Sequence, residues 1–580
     1  QRQMCIRDSY YAHPGFHMNN VFIMLSLKLF MLFCINLATL TDSAIICSYN
    51  KDVPFTDKRK PFGCYNLVPV IDWVQRCVLS IFIVFGISFL PLCIQELMER
   101  GVWKCIFRIG RHFISLSPMF EVFVCRVYSK SLVNNFSLGG AKYIATGRGF
   151  STIRVPFYKL YAKFSHESFY MAAGLTLLLL YTSIVIWKFS LLYFWCTVFS
   201  LLLSPFWFNP EQFSFSEFFI DYRRFLQWLT GGNILFSSES WITHIRDLRM
   251  QSTGSKSRRY KKMQNEQNFN QNKKPSFLGL IFTQLIPNIL VTLLICTAFM
   301  FSNAQNGAQS ASPTNTILRL IVVSFGPILV NMTILLLFFV VSLITGPILS
   351  CCTTKAAALI ANMAHFISVA NYLFFLDFLF LCQNWDISKT LLGACACCSV
   401  ESFTFKALTI ILNREFKADS ANKSWWTGTW FNSGLGWHII TQPLREFGCK
   451  TIELSLFACD FLVSHILLLI QFPLLFIPYI NKLHSLLLLW LKHEGIIGKP
   501  IYSRNKRKTR ERTTITYFLL FALINMIIIC AVAVPYVAVK AFNADFDSLV
   551  PELAVSLLQP LEDKGENQGL KNYIPFTTAI

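Results

Sequence analysis

Apolar residues along this chain gather into runs of about twenty, separated by shorter polar and basic stretches, and that is the length a helix needs to cross the hydrocarbon core of a bilayer. Such runs lie at 21–41, 77–97, 168–187, 189–208, 277–301, 317–345, 356–383, 387–412, 452–471, 473–492 and 514–538. The pattern predicts an all-α polytopic membrane protein with about eleven transmembrane helices. The pair at 452–492 reads either as one long tilted helix or as a hairpin turning near Phe472 and Pro473, and the parity of the spans favours the hairpin. Two intervening segments read as amphipathic helices lying in the head groups. In 102–126, Lys104, Arg108 and Arg111 recur at spacings of three and four; in 215–229, Phe218, Phe219, Phe225 and Trp228 stand beside Asp221, Arg223 and Arg224.

Positive residues orient the spans. Segment 99–167 carries eleven Lys or Arg against three acids, 241–275 is also strongly basic, and the loop at 302–316 has no charge at all. The basic segments then face the cytosol and the uncharged loop faces outward. The expected organisation is two helices within 10–98, a cytosolic interfacial segment at 99–167 and a transmembrane hairpin at 168–208. A basic cytosolic loop at 209–276 leads into four helices within 277–412. A cytosolic loop at 413–450, three helices within 451–540 and an extracytoplasmic tail at 541–580 complete the chain. Residues 1–9 have no continuity with the chain beyond them and read as a cloning or assembly remnant, and the abrupt start at Tyr11 reads as the interior of a longer chain.

Composition agrees: 54% of the 580 residues are hydrophobic and only 14% are charged. The net charge of +21 lies in loops between apolar runs, where anionic lipid head groups are the expected partner; no nucleic-acid motif accompanies it. The nineteen cysteines lie mostly inside apolar runs, where a thiol acts as a small hydrophobe. Cys395, Cys397 and Cys398, with Cys351 and Cys352, lack ligand spacing and a nearby histidine, so no metal is expected. Cys47 and Cys64 bracket a short extracytoplasmic loop and are expected to form a disulfide.

The stretch GGAKYIATGRGFSTIRVPF at 139–157 is glycine-rich, basic and aromatic together. Gly147 and Gly149 flank Arg148, so its guanidinium can be aimed at a planar anion; binding of lipid phosphate is the other reading, and Lys142 shares the stretch. Among the ionisable groups inside apolar runs, Lys28, Asp377, Glu401, Lys406, Asp460 and His465 stand out. Each is costly in lipid unless paired or wet, so they read either as buried ion pairs fixing helix packing or as a polar lining for a sugar chain crossing the bilayer. The sequons at Asn135, Asn331 and Asn422 fall in cytosolic or spanning positions and are expected to stay unmodified.

GGAKYIATGRGF, NPEQF at 209–213 and FFIDYRRFLQWL at 218–229 resemble the membrane half of fungal 1,3-β-glucan synthase catalytic subunits, the Fks type, related to plant callose synthases. YAHPGFHMNN, DWVQRCVLSIFIVF, QELMERGVWK, LSPMFEVF, REFKADSAN, WTGTW, TQPLREF and IELSLFACDFLVSH extend the resemblance in order over residues 11–580. It implies a processive glycosyltransferase of the plasma membrane that takes UDP-glucose in the cytosol, extends a 1,3-β-glucan and passes it outward, under a Rho-type GTPase. It implies that the nucleotide-sugar domain precedes this chain, so that this portion alone is inactive. Lys142, Arg148, Asp221 and Arg223 are then candidates for the acceptor side or the interface, and no catalytic residue or cofactor beyond the UDP-glucose substrate is evident. The family's second echinocandin-resistance region resembles 72–79, with Asp72, Trp73, Arg76 and Leu79 as candidates; Gln75 and Cys77 depart from its usual pattern. Apart from the resemblance, the residues are equally compatible with a transporter or channel.

Overall fold

The computed structural model describes residues 90, 93–114, 154–185, 191–231, 239–252, 277–303, 313–349, 354–383, 385–411, 425–426, 441–489 and 503–542. Among them the chain is helical throughout, with no strand. The helices are α1 Val102–Ile114, α2 Phe157–Phe164, α3 Tyr170–Val185, α4 Leu191–Trp207, α5 Phe215–Gly231, α6 Trp241–Ser252 and α7 Ile286–Asn303. They continue as α8 Pro313–Leu349, α9 Thr354–Cys382, α10 Ile387–Ile411, α11 Thr441–Gln471, α12 Ile480–Leu489 and α13 Arg504–Phe542. A π-turn at Ser165–Phe169 makes α2 and α3 nearly continuous.

Among the described residues five helices are long and apolar enough to cross a membrane: Ile317–Thr345, Ala358–Cys382, Ile387–Ile411, Glu446–Phe476 and Arg504–Phe542. Tyr170–Ile184, Val198–Trp207 and Ile286–Met300 are shorter apolar helices. The run at 21–41 and the tail at 543–580 lie outside the described residues, as does the run at 77–97 except for residues 90 and 93–97, which are helical. The expected break at Phe472 and Pro473 is present: α11 ends at Gln471, a 3₁₀ turn covers Phe472–Phe476, and Tyr479 takes a φ of 61°. The next helix, Ile480–Leu489, has ten described residues, fewer than a crossing needs.

α8 and α9 pack antiparallel. Ser368 Oγ donates to Asn331 Oδ1 at 3.0 Å, Asn371 Nδ2 donates to the Pro327 carbonyl at 3.2 Å, and Gly326 lies against Phe375. α7 and α10 are antiparallel too, with Thr292 bonded to the Ser399 carbonyl and Phe299 against Gly393. Gly393, Cys395 and Ala396 are buried side by side on α10, the small residues that let helices approach closely without a hydrophobic driving force. Asn331, the sequon residue of a span, is fully buried and bonded to Ser455 of α11 at 3.0 Å.

α2, α5 and α6 form an aromatic platform continuous with the core. Phe157 and Phe169 both stack on Phe206 of α4, with centroids at 5.3 and 5.6 Å, and Phe225 meets Phe157 edge-on at 5.3 Å. α5 buries Phe218, Phe219, Asp221, Tyr222, Phe225, Trp228 and Leu229. Asp221 therefore lies on the buried stripe, correcting its expected place beside the solvent-facing arginines. One turn separates it from Phe218 and from Phe225, which fixes its direction.

Candidate functional site

The end of the glycine-rich stretch from Arg154, the NPEQF segment and α5 meet in space. The chain leaving the glycine-rich stretch presents Arg154, whose Nε and Nη2 donate to Asp221 Oδ2 at 3.0 and 2.6 Å while Nη1 donates to the Glu211 carbonyl. Arg224 Nη1 reaches Asp221 Oδ1 at 3.4 Å, so both carboxylate oxygens face guanidiniums. Burial pushes the Asp221 carboxyl up from the ordinary carboxylate range, and Arg154 beside it draws it part of the way back. One residue on, the Asn209 side chain pairs with both backbone groups of Val155, accepting from its N–H at 2.9 Å and donating to its carbonyl at 3.0 Å. Asn209 also donates to Gln212, and Gln212 donates to Gln471 of α11 at 2.9 Å. At 100° per residue, Glu453, Asp460 and Gln471 fall on one narrow stripe of α11, and that stripe faces the platform.

Glu453, Asp460 and Gln471 each have a partner across from α11. Arg249 of α6 meets Glu453 at 2.6 Å. Asp460 is fully buried and accepts three neutral bonds, from Tyr161 at 2.7 Å and Tyr170 at 2.6 Å on Oδ1 and from Trp241 Nε1 at 2.8 Å on Oδ2. Beside the stripe, His465 Nδ1 lies 2.7 Å from the Phe461 carbonyl, which can only accept, so Nδ1 carries the proton and Nε2 accepts from Tyr222 at 3.0 Å. Gln212 caps the row at Gln471. From Glu453 to Gln471 the helix rises about 27 Å, so the platform lies along α11 instead of hanging beneath it as a loop.

Of the residues expected from sequence to carry function, Asp460 and His465 are thus brought onto the surface between the platform and α11, while Asp221 is held within the platform by Arg154 and Arg224. Arg223 is exposed and lies over the Tyr517 ring of α13 at 5.9 Å, while Glu217 pairs with Arg510. Glu401 is approached by the Tyr372 hydroxyl and, at 3.7 Å, by Cys459 Sγ; Lys406 is half-buried on α10. Asp377 stands apart on α9, with Oδ1 buried and no hydrogen-bond partner. Lys28, Cys47, Cys64, Asp72, Trp73, Arg76, Leu79, Lys142 and Arg148 lie outside the described residues.

Sequence reasoning passed over Arg154, Asn209, Gln212, Trp241, Tyr161 and Arg249. The helix α6 was legible in the buried positions Trp241, Ile242, Ile245 and Leu248, spaced at one face of a helix inside a segment read only as basic. The rest are polar residues whose partners are far away in sequence, and no local pattern marks them.

The architecture defines the class: a helical membrane protein whose spans are joined by buried polar contacts to an amphipathic aromatic platform. The family model for the 1,3-beta-glucan synthase component matches residues 6–349, and the chain belongs to that family. It is similar to the 1,3-beta-glucan synthase component FKS3 of Saccharomyces cerevisiae, 41% identical over 97% of this chain and 31% of the relative. The component FKS1 of Aspergillus niger is 40% identical over 97% of this chain and 29% of the relative. Callose synthase 12 of Arabidopsis thaliana is 34% identical over 26% of this chain and 9% of the relative. The chain spans about a third of the length of the fungal relatives it matches.

Proposed function

We propose that this chain forms the membrane portion of a processive glycosyltransferase that polymerises glucose from UDP-glucose into 1,3-β-D-glucan and exports it across the plasma membrane. The observation that supports this reading is identity near 40% sustained over 97% of the chain with fungal glucan synthase components, which a transporter or channel of another family would not share. Glycosyl transfer needs a base for the acceptor hydroxyl and a cationic site for the departing diphosphate. Asp221, Asp460 and His465 are engaged in contacts that hold helices together, so in this reading the donor site is built by residues outside this chain.

The division of labour is then as follows. About eleven helices make the conduit, with 99–167 and 209–276 at the cytosolic face, the tail at 541–580 outside, and anionic lipids around the basic segments. α5 joins α13 at its basic end, Arg510 with Glu217, which supports a place at the cytosolic head groups for that end of the platform. Lys142 and Arg148 stand just before the Arg154 clasp, on the acceptor side. The nascent glucan and a Rho-type GTPase are the partners. In lipid nanodiscs supplied with radiolabelled UDP-glucose, the intact synthase should make polymer that a β-1,3-glucanase digests, whereas residues 11–580 alone should insert and make none. Polymer from the shorter chain would overturn this division.

A further inference from the structure

Helix α13 enters the bundle from a run of cations. From Arg504 to Arg512 stand six of them, Arg504, Lys506, Arg507, Lys508, Arg510 and Arg512, against one acid, Glu511. At 100° per residue they divide between two sides of the helix. Lys506 and Arg510 fall with Thr514, Tyr517 and Phe521 on the side packed against α5. There Arg510 pairs with Glu217, Arg223 lies over the Tyr517 ring, and Phe521 meets Phe218 and Tyr222. Arg507 pairs with Glu511 on its own helix at 3.0 Å. Arg504, Lys508 and Arg512, at spacings of four, fall on the other side, exposed and with no acid partner among the described residues.

Within the chain this stripe is unfavourable, because its members are like charges at i and i+4 that repel across each turn. The same side of the helix continues into Ile515, Leu519 and Met526, which are 58%, 60% and 62% exposed. The lipid leaflet that covers this apolar part therefore also meets the cations. Distance along the axis selects the kind of lipid. At about 1.5 Å per residue, Arg512 stands about 5 Å, Lys508 about 10 Å and Arg504 about 16 Å outside Ile515. A tilt of about 20° shortens these heights by less than about a tenth. The polar layer of a bilayer is only about 5–8 Å deep on each side. Arg512 thus reaches the phosphodiester level of ordinary head groups, whereas Lys508 and Arg504 stand beyond it. Phosphates carried on a ring outside that level span the three positions, with Lys508 offering a point charge and each arginine a fork for phosphate oxygens. A head group with a single charge, such as phosphatidylserine, satisfies Arg512 alone.

We propose that Arg504, Lys508 and Arg512 dock the head group of a multiply phosphorylated inositol lipid in the leaflet that α13 enters. This goes beyond a general attraction of basic segments for anionic lipid, and it rests on the cytosolic orientation given above to that end of α13. On the opposite side of the same turns Arg510 holds Glu217 of α5, so the lipid sits against a helix already tied to the platform.

The test places the intact synthase in nanodiscs carrying either a photoactivatable bisphosphorylated inositol lipid or photoactivatable phosphatidylserine, at equal total negative charge, and maps the labelled peptides. Label on residues 503–516 should be about tenfold higher from the inositol lipid than from phosphatidylserine. Equal labelling by the two lipids, or inositol-lipid label that maps elsewhere, overturns the proposal. Label from neither leaves the stripe to a protein partner and overturns it as well. Arg504→Gln, Lys508→Gln and Arg512→Gln together should lower the label about tenfold, with the unfolding temperature unchanged or higher because the like charges are gone and Gln suits a helix. The same change at Lys256, Arg258 and Arg259, in another basic segment, should leave the label at 503–516 as it was. Equal loss in both triple variants, no loss in the first, or loss of label together with stability overturns the docking surface. Both faces of a nanodisc carry the lipid, so this result does not depend on orientation. Orientation is read separately with a membrane-impermeant amine reagent on intact cells, which should spare Lys506 and Lys508. Their modification would overturn the orientation, and with it the access of such a lipid to the stripe.

Discussion

Arg154 sets two guanidinium nitrogens, at 3.0 and 2.6 Å, on a single carboxylate oxygen of Asp221, 67 residues away in the chain. The pair clasps the end of the glycine-rich stretch to the platform helix α5, and its side chains are only 13% and 3% exposed. Removing one member of a buried pair strands the other. Arg154→Ala should therefore cost about 3 kcal/mol or more. Arg154→Lys, which keeps the charge and loses the fork, should fall between the alanine variant and the wild type. Thermal unfolding in detergent reads the order directly; an alanine variant as stable as the wild type would refute the clasp.

Asp460 ties α2, α3 and α6 to α11 through three neutral donors. Asp460→Asn turns one acceptor into a donor, and whichever way the amide sits it opposes either Trp241 or the two tyrosines. A loss of about 2 kcal/mol is expected, with roughly 1 kcal/mol for Tyr161→Phe. The two changes together should cost less than their sum, because they remove one shared bond. Strict additivity in a double-mutant cycle counts against the node.

His244 of α6 is 8% exposed and shares a 3.1 Å contact with Ser165. Burial lowers its pKa from 6.5 to about 4. The folded state keeps the ring neutral while the unfolded chain takes up a proton below pH 6.5, so stability is lost as pH falls from 6.5 towards 4. At about 1.4 kcal/mol per unit the full loss is roughly 3 kcal/mol. Unfolding temperatures at pH 7.5 and 4.5 should converge in His244→Gln relative to the wild type; an unchanged pH slope would assign the dependence elsewhere.

The long helices were legible because a period-free apolar run of bilayer length leaves a chain little choice of structure. The break at Phe472 and Pro473 was legible for the same local reason, a proline that cannot continue the backbone ladder. Asp460 and His465 stood out as polar residues in apolar text, yet their partners Tyr161, Trp241 and Tyr222 lie more than 200 residues away, and nothing in the sequence marks which aromatic hydroxyl or indole will arrive. Asp221 shows the opposite failure. Its neighbours Arg223 and Arg224 made the segment look like a charged surface face, whereas its register with Phe218 and Phe225 puts it inside.

At Gly326 a Cβ atom would lie 3.0 Å from Phe375 Cε2. Gly326→Ala should therefore force the ring aside and destabilise the α8–α9 contact by about 1–3 kcal/mol. Phe375→Leu, which frees that volume, should relieve the alanine variant. Relief is read as recovered unfolding temperature in the double variant, and its absence would mean that the close approach is not what constrains position 326.

The account's central claim, that this chain belongs to a polymerising synthase and not to a carrier of finished sugars, is tested most directly by product analysis. Sealed vesicles bearing the intact protein, with radiolabelled UDP-glucose supplied on the face of the basic loops, should accumulate on the opposite face a polymer whose linkage analysis gives 1,3-linked glucose. Label that crosses as free sugar or nucleotide sugar, with no 1,3-linked polymer formed, would contradict it.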